Sequence, residues 1–343
     1  MNIALFVLSL TARPLNFISI GDWGELNTNQ EKVSRAAFKY AKEHDSSFVL
    51  SLGDNFYESG VKSIYDTLWN YVYISNPLHT LPIPWVVSVG NHDYYGNVTA
   101  QIEYTHHNDR WYLPNNYYSI KYSKHIKFII IDSQLLDPLC TDMNESITNN
   151  VIKREMYDWI ELELGSDERI KIVVSHAPIY SMGSYHECIE LQNNLFPILK
   201  KYGVKLFLHG HEHLFQHNQY QGIDLIGCGS FARLSTGGQY EVRKGMTKFY
   251  KFEYGFCAHT ITDSWVRNMM VNQDSRILYD YTVFYYDRGL KPPPRPCGVD
   301  YNFPLIVIAM FSLFIVIYLI ACAVNCKKDK KPEKDIESRL IGS

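Results

Sequence analysis

The chain has 343 residues, 46% hydrophobic and 20% charged, which is enough apolar material for the core of one large domain and excludes a disordered, collagenous or coiled-coil protein. A net charge of -3 leaves no overall basic surface to hold a phosphate backbone by counterion release, so nucleic acid is not an expected partner.

At the amino terminus, residues 3–10 form a short apolar run ahead of Thr11, Ala12, Arg13 and Pro14, and residues 1–12 fit an export signal. The globular domain is expected to span 15–290. Within it, β-branched or apolar runs at 17–20, 48–52, 85–89, 128–131, 172–174, 206–208 and 223–226 predict buried strands. Helical periodicity falls between them, in Val33, Ala36, Ala37, Tyr40 and Ala41 and again in Met156, Trp159, Ile160 and Glu163 before Gly165. Strands alternating with helices predict a layered α/β domain.

Several of these runs end in a polar cluster: Gly21-Asp22-Trp23-Gly24, Gly53-Asp54-Asn55-Phe56-Tyr57, Gly90-Asn91-His92-Asp93, Ser175-His176 and Gly210-His211-Glu212-His213. Polar groups at strand ends belong to the crevice where α/β folds bind ligands. The ordered set supplies two aspartates, one tyrosine, one asparagine and three histidines, enough for two adjacent metal ions sharing a carboxylate. His211 and His213 are two apart, so on an extended segment both imidazoles lean to one face. Of the remaining histidines, His106 and His107 read as a solvated loop, His209 as strand-end packing, and His44, His79, His125, His217 and His259 carry no partner motif.

Sequons make Asn97 and Asn144 candidate N-glycan acceptors on an exported surface. Five cysteines, Cys140, Cys188, Cys228, Cys257 and Cys297, precede the last apolar segment; an oxidising compartment allows at most two disulfides within the chain among them. A proline-rich stretch, 291–303, predicts a stiff extended spacer. Residues 303–324 carry no charge and, at about 1.5 Å rise per residue, are long enough for a hydrocarbon core of roughly 30 Å, so 304–324 is read as a transmembrane helix. Lys327, Lys328, Lys330, Lys331 and Lys334 follow it and place the tail, 325–343, in the cytosol. The expected protein is a single-pass type I membrane protein with its domain in a secretory or lysosomal lumen or outside the cell.

The ordered clusters resemble the purple acid phosphatases, and especially the small tartrate-resistant (type 5) branch of the metallophosphoesterase superfamily. The likeness covers roughly residues 15–260 and is carried most specifically by Gly53 to Tyr57 and by Gly90 to Asp93 continuing through Gly96-Asn97-Val98-Thr99-Ala100-Gln101-Ile102. It implies a four-layer α-β-β-α sandwich of two mixed sheets and hydrolysis of phosphate monoesters at acidic pH. It also implies that Asp22, Tyr57 and His213 bind a ferric ion, that Asn91, His176 and His211 bind a divalent ion (iron, zinc or manganese), and that Asp54 bridges the two. Donor chemistry agrees: phenolate and carboxylates are hard anionic ligands, whereas an amide and imidazoles suit a divalent ion.

By the same resemblance His92 stabilises phosphate or protonates the leaving alkoxide, His186 is the nearest candidate for a further histidine above the metals, and Cys140 pairs with Cys188. Many metallophosphoesterases carry Asp-x-His in the first cluster. Here position 24 is Gly24, and Tyr57 is expected to replace the missing imidazole. The Asp-Arg element of the Ser/Thr protein phosphatases is absent. Asp93 is expected to accept hydrogen bonds behind the ligands rather than to be one. The alternative function is a membrane scaffold that keeps the phosphatase fold without turnover.

Overall fold

The computed structural model describes residues 13–182, 188–235 and 245–285. The expected export signal, His186, Cys297, the proline-rich spacer, the apolar segment 304–324 and the tail lie outside them. Among the described residues no helix is long and apolar enough to cross a membrane.

In chain order the strands are β1 (Leu15–Ile20), β2 (Val49–Leu52), β3 (Trp85–Ser88), β4 (Trp111–Tyr112), β5 (Tyr118–Lys121), β6 (Ile126–Ile130) and β7 (Ile170–Val174). They continue with β8 (Leu206–His209), β9 (Phe215–Tyr220), β10 (Ile223–Cys228), β11 (Thr247–Lys251), β12 (Gly255–Ile261), β13 (Trp265–Asn272) and β14 (Ile277–Phe284). The helices are α1 (Thr28–Glu43), α2 (Asn91–Tyr94), α3 (Val98–Tyr104), α4 (Ser133–Leu136), α5 (Asn150–Leu164) and α6 (Phe196–Lys201). Every apolar run expected to be a strand is one, and the two periodic segments are α1 and α5. Each of those helices starts on an asparagine whose side chain accepts from the first turn, Asn27 from the Asn29 and Gln30 amides and Asn149 from those of Val151 and Ile152.

Two seven-stranded sheets form, ordered β14-β13-β12-β1-β2-β3-β4 and β11-β9-β10-β8-β7-β6-β5. β1 to β4 run parallel, as do β6, β7, β8 and β10, while the other strands pair antiparallel, so both sheets are mixed. The period-2 alternation of strand side chains sorts the second sheet. Phe128, Ile130, Ile172, Val174, Leu206 and Leu208 join the core shared with the first sheet, and Ile129, Val173, Phe207 and Leu225 join a second core with Met156, Ile160 and Leu164 of α5 and Phe196 and Leu199 of α6. Phe128 meets Phe17 edge-on across the sheets at 5.4 Å. With α1 packed on β1 and β12, the four layers run helix, sheet, sheet, helix.

β4, β5, β9 and β11 to β14 were not legible as strands. β9 is buried yet polar: Gln216, His217 and Asn218 are all fully buried. Their partners explain it, because His217 Nε2 lies 2.9 Å from Asp224 and Nδ1 2.9 Å from the Tyr279 hydroxyl, a polar pin between the sheets. His259, also without a partner motif in the sequence, sits 2.8 Å from both Ser19 and Asn268. His106 and His107 are exposed and His209 is fully buried, as expected.

The register places the two poles. Leu15 pairs with Ile261, Ile261 with Val266, and Val266 with Val283, so β14 ends level with the start of β1. The carboxyl ends of β1, β2, β3, β7 and β8 gather at the opposite pole. Two disulfides close the frame. Cys140 pairs with Cys188 as expected, and Cys228 on β10 pairs with Cys257 on β12, a bridge from one sheet to the other that the sequence left open.

Replacing both Cys228 and Cys257 with alanine should lower stability by roughly 2–4 kcal/mol, since a cross-link restricts the unfolded chain. The midpoint of urea unfolding, compared with the unaltered protein, reads this out; an unchanged midpoint would show that the bridge between the sheets adds nothing.

Candidate metal centre

Each cluster leaves its strand through a sharp turn. Asp22 follows β1 at φ 57°, Asp54 follows β2 at φ 54° and His211 follows β8 at φ 65°. The left-handed region costs a residue with a Cβ about 1–2 kcal/mol; of the seven non-glycine residues described with positive φ, these three and Asp142, at φ 56°, line or carry the site, and Asp45, Gln221 and Ser275 lie in turns elsewhere. Asn91 opens α2 after β3, and His176 lies just past β7.

The turns bring the donors together. The Tyr57 hydroxyl lies 2.7 Å from Asp54 Oδ2, 3.1 Å from Asp22 Oδ1 and 3.3 Å from His213 Nε2, and that nitrogen is 3.3 Å from Asp22 Oδ1. Asp22, Asp54 and His213 offer ligand atoms all within 4.8 Å of one another. One phenol proton satisfies one acceptor at a time, so a buried convergence of this kind is completed by a cation. On the other side of Asp54, His176 Nδ1 donates to the Leu52 carbonyl at 2.8 Å, which turns Nε2 toward Asn91 Oδ1 at 3.1 Å and Asp54 Oδ1 at 3.4 Å. The His211 ring is 5.1 Å from that of His176, and its backbone amide donates to Asp22 Oδ2 at 2.9 Å. Asp54 therefore faces two donor groups with different oxygens.

Electrostatics follow the same division. Burial pushes the Asp54 carboxyl up, but His176, His92 and the Tyr57 hydrogen bond outweigh it and hold it below the ordinary carboxylate range. Burial, then the charges of Asp22 and Asp54, drive the Tyr57 phenol well above its usual value. A phenol so placed ionises more readily beside a bound cation. Asp93 is the expected brace: its carboxylate accepts from the Asn55 amide at 3.1 Å, the Gly90 amide at 2.8 Å and Gln101 Nε2 at 2.9 Å. Burial and the neighbouring Asp54 raise it to about 7.

Gly24 explains why the first cluster has no imidazole. A Cβ there would stand 2.4 Å from the carbonyl carbon and oxygen of Asn55, so no side chain fits, and Tyr57, whose amide donates to the Gly24 carbonyl at 3.1 Å, enters from that neighbouring segment instead. Gly90 makes room in a similar way, since its Cβ would fall 2.2 Å from Asp54 Oδ1.

Above the donors opens a cleft of about 170 Å³, floored by Asp54, Asn91, His211 and His213 and rimmed by His92, Tyr95, Thr141 and Asp142. His92 Nδ1 donates to the Glu58 carbonyl at 2.6 Å. His186 lies outside the described residues. Sequence reasoning missed Tyr95, Thr141, Asp142 and Arg233. Tyr95 lies two residues after the third cluster, and Thr141 and Asp142 directly follow Cys140, whose pairing the resemblance implied. Arg233 gave no signal, because its carboxylate partners, Glu25 and Glu58, are 208 and 175 residues away in sequence.

Comparison with known proteins agrees with this geometry. Residues 15–215 match the calcineurin-like phosphoesterase family. The chain is 31% identical over 262 residues to tartrate-resistant acid phosphatase type 5 of Oryctolagus cuniculus, covering 70% of this chain and 80% of that protein. It is 27% identical over 305 residues to purple acid phosphatase 3 of Arabidopsis thaliana, covering 81% and 80%. Among solved structures, GAP50, the anchor in the inner membrane complex of Plasmodium, shares the fold with a TM-score of 0.72 at 23% identity, over 80% of this chain and 90% of that one. The purple acid phosphatase PPD1 of yellow lupin (Lupinus luteus) seeds does so with a TM-score of 0.59 at 16% identity, over 80% and 54%.

Gly24→Ala should destabilise the protein by about 1–3 kcal/mol, because the added methyl meets backbone that cannot yield. A thermal midpoint within a degree of the unaltered protein would show that the Gly24 and Asn55 segments separate freely.

Proposed function

We infer that this chain, which belongs to the calcineurin-like phosphoesterase family and is a phosphoesterase hydrolase akin to the tartrate-resistant and purple acid phosphatases, hydrolyses phosphate monoesters at acidic pH. The observation that carries the inference is Asp54 facing Tyr57 with one oxygen and His176 with the other. In this reading Asp22, Tyr57 and His213 hold a ferric ion, Asn91, His176 and His211 hold iron(II), zinc or manganese, and Asp54 serves both.

When bound, such a pair of cations clamps the phosphate oxygens and supplies a nucleophile for in-line attack that persists at low pH. The protein does the rest. Strand-end turns fix the donors before substrate arrives, and the Asp93 side chain accepts from the Asn55 and Gly90 amides behind them. His92, with Nδ1 committed to the Glu58 carbonyl, has Nε2 left to protonate the departing alkoxide. His186 remains the candidate for a further phosphate contact.

Residues 304–324 anchor the enzyme as a single-pass type I membrane protein, its domain in a secretory or lysosomal lumen or outside the cell, with N-glycans on Asn97 and Asn144. Both asparagines are exposed, and the disulfides suit an oxidising compartment. The second reading, a membrane scaffold without turnover, draws on the likeness to GAP50, whose structure is described as an anchor. The retained donors favour catalysis, since buried ligands without a cation are costly to desolvate.

Full-length protein in detergent should hydrolyse p-nitrophenyl phosphate with an acidic optimum and carry two metal ions per chain by elemental analysis. Asp54→Asn should lower turnover by about 100-fold or more, as loss of a shared ligand uncouples both ions. Folded protein holding both metals and giving no turnover would make the scaffold the better account.

A further inference from the structure

One cation outside the donor set touches three loops of the site. Arg233, on the segment after β10, stacks its guanidinium 3.9 Å from the centroid of the Tyr57 ring. It also pairs with Glu25, from the loop after β1, and with Glu58, from the loop after β2. The segment carrying it is tied to the first loop on its own account: the Ala232 amide donates to the Asp22 carbonyl at 3.2 Å, and Asn27 Nδ2 donates to the Ala232 carbonyl at 2.9 Å. Glu58 in turn receives the His92 Nδ1 proton on its backbone carbonyl, and the His92 ring meets the Tyr57 ring edge-on at 4.3 Å.

We propose that Arg233 is a positioning residue of the phosphatase: it holds the Tyr57 ring and, through Glu58, the His92 ring in their working orientations, and as a cation on the phenolate face it restrains electron donation from Tyr57 to the ferric ion. The proposal rests on the reading of Tyr57 as a ferric ligand. Arginine suits the task because a planar guanidinium stacks on an aromatic face while its fork engages two carboxylates, which a lysine ammonium cannot do together. The electrostatic consequence has a definite sign. A positive charge on the ring face lowers the energy of the phenolate electrons, so its removal narrows the gap to the ferric d orbitals and moves the phenolate-to-iron absorption band to longer wavelength.

The test compares the full-length holoenzyme with Arg233→Gln and Arg233→Lys, measuring iron content, the visible band, and kcat and KM separately on p-nitrophenyl phosphate. Arg233→Gln should bind iron, shift the band to longer wavelength and lose about 10- to 100-fold in kcat with a smaller change in KM, the scale found for groups that orient metal ligands. Arg233→Lys keeps a charge without the fork, so its band should stay near that of the unaltered protein while kcat still falls. Iron-loaded Arg233→Gln with an unmoved band and unchanged kcat would overturn the proposal. Should Arg233→Gln fail to fold, Arg233→Lys alone decides: full kcat overturns the positioning role, and reduced kcat with the band retained supports it. Absence of any such band in the iron-loaded, unaltered protein would instead overturn the ferric reading itself.

Discussion

The site depends on one buried carboxylate that serves two sets of donors at once. Asp54 is 1% exposed and sits in left-handed backbone, and its two oxygens face Tyr57 and His176 respectively. A buried carboxylate is expensive to leave unpaired, so its surroundings are arranged around it. The His92 amide donates to Oδ1, and Gly90 carries no side chain where one would collide with that oxygen. Moving Asp54 by the width of a methyl group would therefore disturb the third cluster and both imidazole positions together. That is why the donors lie on turns held by parallel strands of two sheets instead of on one mobile loop.

Much of this was legible because the chemistry sits where strands stop. A run of β-branched or apolar residues that ends in a polar cluster, with a glycine before Asp22, Asp54, Asn91 and His211 and a serine before His176, is a local pattern, and it singled out these five residues without reference to packing. The pairing of Cys140 with Cys188 followed from the resemblance alone. What remained hidden was the structure whose logic is not local. β9 carries buried polar residues whose partners lie on another strand of its sheet and on β14, so its composition reads as a loop although its environment is a core. Arg233 reads as a solvated charge until the three turns meet. The absence of an imidazole at position 24, with a phenol expected in its stead at position 57, could be stated from sequence; the contact between the Gly24 and Asn55 backbones needed coordinates.

The sheets themselves are joined in complementary ways. Aromatic packing around Phe17, Phe48 and Phe128 supplies the apolar contact. The His217, Asp224 and Tyr279 network adds a directional polar link, and Cys228 to Cys257 adds a covalent one close to the turn that carries Asp22, whose neighbour Gly21 would place a Cβ 2.8 Å from the Cys228 carbonyl. Donors contributed by both sheets keep their spacing only while the sheets keep theirs. The covalent link is therefore placed where a relative slip would do the most harm to the site.

The direction of β14 has a mechanical meaning. Its last residue, Phe284, lies at the pole away from Asp22, where Lys205 Nζ donates to its carbonyl at 2.7 Å. Tension drawn through the chain beyond Phe284 would load the ladder between β13 and β14 first, at the margin of the first sheet, and the turns that carry the donors would stand outside the line of force. The last described strand and the open side of the donor cluster thus stand at opposite poles of the domain.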